Sequence, residues 1–266
     1  MAGLIAIVAG LLGLVFASFG NVVIHRVPQG QSVVRPPSAC PGCQTPIQPR
    51  DNIPVLSWVL LRGRCRTCGE PISRRYPLVE LTGGVLFGVT GYWLAAMTPP
   101  DYWALPGMLL FVWMLLVVSV IDYNTRRIPN ALVYPLTPAL LVLLVAAALL
   151  NGEPGRITDM LIGAVGAFAF LLLLAFINPR GMGMGDVKYA AFLGIGLGYV
   201  GIGSVLIGIF GAFLLGSVIS ITLIVTKLRT RKDLIPFGPF LSAGAFLALL
   251  FGPALVKAYL ESTGLA

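Results

Sequence analysis

Long apolar stretches recur along almost the whole chain, at residues 3–25, 77–97, 105–121, 131–150, 158–178, 187–201, 202–226 and 238–260. A helix needs roughly 20 apolar residues to cross a hydrocarbon layer about 30 Å thick. The pattern therefore predicts an all-α, polytopic membrane protein of about eight transmembrane helices. The sixth stretch is short and glycine-rich. Small residues recur at helical spacing, as Gly84 and Gly88, Gly194 and Gly198, and Ala212 and Gly216. In lipid, small side chains let helix backbones approach closely.

One stretch breaks the pattern. Residues 26–76 are rich in Pro, Arg and Cys, with no continuous apolar run beyond Val55–Leu61. The chain divides into a first helix (1–25), a small insert (26–76) and a membrane core (77–266). About 50 residues bury too little surface to fold on hydrophobic burial alone, so the insert needs a staple.

Composition agrees: 57% of residues are hydrophobic and 11% charged, too few polar groups to face water all round. The first stretch lacks the basic start and small-residue cleavage site of a signal peptide, and its charges follow the apolar run. It is expected to be a retained helix with its N-terminus outside. On that topology sixteen Lys and Arg fall on the inside and two, Arg156 and Lys257, outside, as the positive-inside rule requires. The net charge of +8 then reflects topology and attraction to membrane lipid. No nucleic-acid partner is called for.

All four cysteines lie in the insert, as Cys40-Pro-Gly-Cys43 and Cys65-Arg-Thr-Cys68 with 21 residues between the pairs. Two such knuckles match a structural zinc site, each giving two thiolates to one tetrahedral Zn2+ ion. Gly42 and Gly69 suit the tight turns, and the nearby arginines favour thiolate. Two disulfides are the competing reading, but on this topology the insert faces a reducing cytoplasm.

Two acids stand apart from the rest. Asp122 ends the third stretch just before Ile128-Pro129, and Asp186 follows Gly181-Met182-Gly183-Met184-Gly185. Both are placed at the cytoplasmic ends of helices, at similar depth. A lone Asp there is usually a helix-end charge. Two at one depth, each beside a helix-breaking sequence, point to function in a wet pocket. Two adjacent carboxyls share one proton: the ionised member takes a proton from water while the protonated one polarises a carbonyl. Glycines beside such an acid leave room for an extended substrate. His25 is the only histidine, which argues against a Ser-His-Asp triad. The glycine run fits neither nucleotide-binding pattern.

These elements, in this order, resemble the bacterial type IV prepilin peptidases (leader peptidase/N-methyltransferases), which are GxGD membrane aspartyl proteases. The resemblance covers nearly the whole length. It rests on Gly20-Asn21-Val22-Val23-Ile24-His25-Arg26-Val27-Pro28, the cysteine knuckles and Arg75-Tyr76-Pro77-Leu78-Val79-Glu80. It continues through Ile121-Asp122 with Ile128-Pro129-Asn130, Gly181–Lys188, and Ile235-Pro236-Phe237-Gly238-Pro239-Phe240. It implies cleavage of the basic leader of type IV prepilins and pseudopilins at the cytoplasmic face of the inner membrane. It also implies methylation of the new N-terminal residue by S-adenosylmethionine. The family's catalytic aspartates fall on Asp122 and Asp186, and the four cysteines accompany its bifunctional members. Gly183, Gly185 and Lys188 are expected to support the substrate or its loop. Glu80 is a candidate for the methyl donor or the substrate amine, against the plain reading of a helix-start carboxylate. Ile235–Phe240 is a candidate wall of the substrate groove. A membrane protease with another substrate and a proton or ion transporter are the rival readings. A transporter would set its acids near mid-membrane and show internal repeats.

Overall fold

The structure is a computed structural model, and it describes residues 1–179, 181–230, 233 and 235–264. Arg180, Arg231 and Lys232, three of the sixteen inside charges, lie outside the described residues. The described residues form eight long helices and one short one. In chain order these are α1 (Ala2–Arg26), α2 (Leu56–Leu60), α3 (Arg75–Ala96), α4 (Leu105–Thr125), α5 (Asn130–Leu150), α6 (Gly155–Ile177), α7 (Met184–Val200), α8 (Ile202–Val225) and α9 (Gly238–Thr263). Seven of the long helices are long and apolar enough to cross a membrane. The other, α7, has 17 residues and spans about 26 Å at 1.5 Å per residue. The protein is an all-helical, multi-pass membrane protein.

The chain folds as two compact units, Met1–Pro100 and Asp101–Ala266. In the first, α1 and α3 form an antiparallel pair. The pairing is possible because both helices present glycine: a Cβ at Gly84 would lie 3.4 Å from the Gly10 carbonyl, and one at Gly88 3.2 Å from that of Ala6. The insert connects the two helices, and α3 packs on α1 within this unit.

The second unit contains the helix bundle α4 to α9. Helices α4 and α7 carry about half of its buried residues, including Phe111, Met114, Val118, Tyr189 and Phe192. Gly198 of α7 meets the backbone of α6 so closely that a Cβ there would stand 2.6 Å from the Asp159 carbonyl. Close packing at these glycines follows the small-residue rule for helices in lipid.

The far end of this bundle is tied by a polar cluster. Asp101, 4% exposed, accepts hydrogen bonds from the Ala104 amide (3.1 Å), Asn151 Nδ2 (2.7 Å), Arg156 Nη1 (2.8 Å) and the Tyr199 hydroxyl (2.9 Å). The Arg156 guanidinium also lies 4.7 Å from the Tyr199 ring centroid. One carboxylate thus joins the start of α4 to the α5–α6 turn and the end of α7.

Candidate active site and candidate metal centre

Three helix ends converge at the opposite end of that bundle. The first is the end of α4, where the helix continues one turn past the apolar stretch to Thr125 before Arg126 takes a left-handed conformation (φ 54°). Asp122 therefore sits inside the last turn of the helix, 5% exposed. The second is the start of α7. Gly183 is its N-cap and Asp186 is the third helical residue, whose Oδ2 accepts the Gly183 amide at 3.3 Å. The third is the start of α9, where the Gly238 amide donates to Asp122 Oδ2 at 2.8 Å.

The two carboxyl groups lie within reach of each other's charge. Each has one protein hydrogen-bond partner among the described residues, a backbone amide. Asp186 Oδ1 is buried with no hydrogen-bond partner among the described residues. Buried acceptors are nearly always satisfied, and exceptions concentrate where chemistry or an ordered water uses the free lone pairs. Behind the pair, the Tyr189 hydroxyl is fully buried and bonded to Ser242 Oγ (2.9 Å). Its oxygen also lies within electrostatic range of both acids.

The glycines of Gly181–Gly185 provide room rather than unusual backbone angles, since none has a positive φ. A Cβ on Gly185 would come within 3.1 Å of the Ile128 side chain, so the residue lets the α4–α5 loop lie against the start of α7. A Cβ on Gly183 would crowd Asp186 Oδ2 at 3.2 Å. Lys188 Nζ donates to Asn130 Oδ1 (3.2 Å) and lies 5.2 Å from the Tyr134 ring centroid, pinning α5 to α7 beside the acids. Tyr189 was not singled out from sequence, and Gly238 stood there only within the candidate groove wall Ile235–Phe240, with no link to Asp122. Gly238 lies 116 residues from Asp122, a pairing that no local pattern encodes.

The four cysteines form one cluster, with all four Sγ atoms within 4.8 Å of one another. Cys40 Sγ is 3.7 Å from Cys68 Sγ, and Cys43 Sγ is 4.0 Å from Cys65 Sγ. The edge of a tetrahedron with Zn–S bonds of about 2.3 Å is about 3.8 Å, so this thiol set fits zinc. All four are free cysteines, and the disulfide reading is not realised.

The knuckles are two copies of one turn. Cys40 N donates to Thr45 O and Ile47 N to Ser38 O, matched by Cys65 N to Glu70 O and Ile72 N to Gly63 O. The shared signal is C-x-x-C-x-x-P-I, at residues 40–47 and 65–72. This short repeat was legible in the sequence and was missed. The left-handed residue is Gly69 (φ 76°) in the second copy but Gln44 (φ 56°) in the first. Gly42 instead lies against the Glu70 side chain.

Local hydrogen bonds sort the thiols. The Thr45 hydroxyl, helped by its backbone amide, draws the Cys43 thiol down to about 6. Backbone amides of Cys68 and Thr67 lower Cys65. At Cys68 the Glu70 amide also lowers the value, but desolvation and three neighbouring thiols outweigh it and push the group up to about 12. Four thiolates at this spacing would repel one another, and a cation at their centre would remove that repulsion.

Glu80 lies in the second turn of α3, 8% exposed, and its Oε2 accepts the Val55 amide at 2.7 Å. Val55 has φ 62° and ψ −51°, a costly conformation for a β-branched residue. The carboxylate therefore holds the turn that starts α2 against α3.

Comparison with known proteins agrees with this architecture. Residues 11–94 match the family described as Bacterial Peptidase A24 N-terminal domain, and residues 109–223 match the Type IV leader peptidase family. The chain is 35% identical over 283 residues to the prepilin leader peptidase/N-methyltransferase of Aeromonas hydrophila, covering 95% of this chain and 92% of that one. The protein of the same name from Bacillus subtilis is 30% identical over 251 residues, covering 94% and 96%. That of Klebsiella pneumoniae is 38% identical over 200 residues, covering 71% and 83%. No solved structure gives a significant match. With both halves of the chain matched and full-length relatives above the level at which family is in doubt, this protein belongs to the type IV leader peptidase family.

Proposed function

We propose that this protein cleaves the leader peptide of type IV prepilins and pseudopilins with Asp122 and Asp186, then N-methylates the new N-terminus. The observation that carries the peptidase reading is the meeting of two under-bonded carboxyls on facing helix ends, one with a buried oxygen left free. Two like charges within each other's field do not both ionise readily, so the pair is read as holding one proton. The ionised member takes a proton from water as the water attacks the scissile carbonyl. The protonated member polarises that carbonyl, then passes its proton on toward the leaving amine. Titration belongs to the pair, and neither residue is assigned base or acid alone. Tyr189 and Gly238 N–H fix the two helix ends around it.

On the positive-inside reading, the ends bearing Asp122, Asp186 and Gly238 face the cytoplasm of a bacterial inner membrane, with the N-terminus outside. In the insert, Cys40, Cys43, Cys65 and Cys68 hold a structural zinc ion, and four thiolates leave no open position for water. S-adenosylmethionine supplies the methyl group, as the relatives' methyltransferase name implies. Glu80 holds the Val55 turn of the insert and is the candidate contact for the methyl donor or the substrate amine.

Co-expression with a prepilin tests the reading. Wild type processes the substrate, whereas Asp122→Asn and Asp186→Asn insert into the membrane but leave it uncut. Full cleavage by either variant refutes the pair. Purified protein is expected to carry about one zinc per chain, lost in the Cys40→Ser, Cys65→Ser double variant. Mass spectrometry of the mature pilin N-terminus then reads methylation, which that variant is expected to lose while some cleavage persists.

A further inference from the structure

The insert carries one short helix, α2, whose sequence Leu-Ser-Trp-Val-Leu is apolar but for one serine. It is tied on two sides. At its N-cap, the Val55 amide donates to Glu80 Oε2 of α3 (2.7 Å). Within it, the Trp58 indole N–H donates to the Ile72 carbonyl (3.0 Å), in the second cysteine knuckle. Its remaining face is uncovered: Leu56 is 50%, Val59 57% and Leu60 70% exposed. Apolar side chains clustered at the surface of a segment otherwise rich in Arg and Pro mark an interaction surface.

The bond to Glu80 says what covers it. Helix α3 is long and apolar enough to cross a membrane, and its 22 residues extend about 33 Å, little more than a hydrocarbon layer of about 30 Å. Glu80 stands five residues after Arg75, the first of that helix, about 7.5 Å along its axis. The start of α2 is therefore held level with the boundary between headgroups and acyl chains, the depth at which interfacial helices lie. On α3 itself, Leu78 and Leu81 on either side of Glu80 are also exposed, on a helix whose outer surface lipid covers. Charge agrees. Arg50 precedes α2, and Arg62 and Arg64 follow it. All three are exposed and make no ion pair among the described residues, whereas Arg66 is bound to Asp51 (2.6 Å). A rim of cations beside an apolar face complements the phosphates and acyl chains of anionic lipid. We propose that Leu56, Val59 and Leu60 insert into the lipid interface, with Arg50, Arg62 and Arg64 on headgroup phosphates, so that α2 anchors the cysteine insert on the membrane surface.

The test places the photo-cross-linking residue p-benzoylphenylalanine at Leu60, and separately at Leu56, in full-length protein reconstituted into bilayers of phosphatidylethanolamine and phosphatidylglycerol. Both sites are exposed, so the large apolar probe replaces a leucine without disturbing the packing beneath it. Irradiation is expected to raise the mass of the chain by one phospholipid. A lipid adduct at either site supports the anchor. Cross-links only into residues 101–266 or into a second copy of the chain, or no adduct at either site, overturn it. The same adducts read the arginine rim: Arg62→Gln with Arg64→Gln should lower the share of phosphatidylglycerol among them about threefold or more. An unchanged share overturns the assignment of those arginines to headgroup phosphates.

Discussion

The bundle of α4–α9 carries acids at both ends, and the two ends are built on opposite principles. Asp101 accepts four hydrogen bonds, one of them charged, and both of its oxygens are satisfied. Asp122 and Asp186 together accept two, both from backbone amides, and lie in each other's field instead of beside a cation. A carboxylate ringed by donors has its lone pairs committed to the helices around it, so it fixes them in place. Carboxyls left short of partners are poorly stabilised at rest and keep lone pairs for water and substrate. Burial is common to both ends; what sets the proposed catalytic pair apart is burial without satisfaction.

That contrast can be broken by substitution at either end. The largest effect is expected at the pair: Asp122→Asn or Asp186→Asn should lower kcat on the order of 10³-fold or more, since members of a catalytic unit fail together. The same variants should leave the melting temperature unchanged or slightly raised, because a buried acid kept short of partners for function adds little to stability. Asp101→Asn should do the converse. Losing the charged bond to Arg156, whose side chain is 30% exposed, should cost about 1–2 kcal/mol of stability, with cleavage per folded molecule retained. Tyr199→Phe removes one neutral donor from the same cluster and should cost about 1 kcal/mol or less. Thermal unfolding in detergent beside a cleavage assay reads all of these. A destabilised, active Asp122 variant, or a stable, inactive Asp101 variant, would reverse the assignment of the two ends.

Much of this was legible from sequence because the bilayer imposes simple rules. Apolar stretches located every long helix among the described residues, and paired C-x-x-C located the cysteine cluster. The helices run past the lipid-like stretch, however: α4 continues to Thr125 and α7 begins at Met184. Hydropathy ends at the first charge, whereas backbone hydrogen bonding ends at a cap. Asp122 and Asp186 are thus inside helical turns rather than beyond them. The parts that stayed hidden are long-range. The Asp101 cluster gathers residues up to 98 positions apart, and the Gly238 amide comes to Asp122 from 116 away. Asp101 itself read as one of several loop acids, since its donors arrive from three other segments. The Glu80–Val55 bond was equally invisible, because a strained valine has no sequence signature.

The pH dependence of cleavage by the unaltered protein tests the proton-sharing pair most directly. If one carboxyl must be ionised and its neighbour protonated, kcat/KM falls on both sides of an optimum. The acid limb marks protonation of the base, and the alkaline limb marks loss of the last proton from the pair. Activity that climbs with pH to a plateau, over a range where the protein stays folded and zinc-loaded, would contradict it.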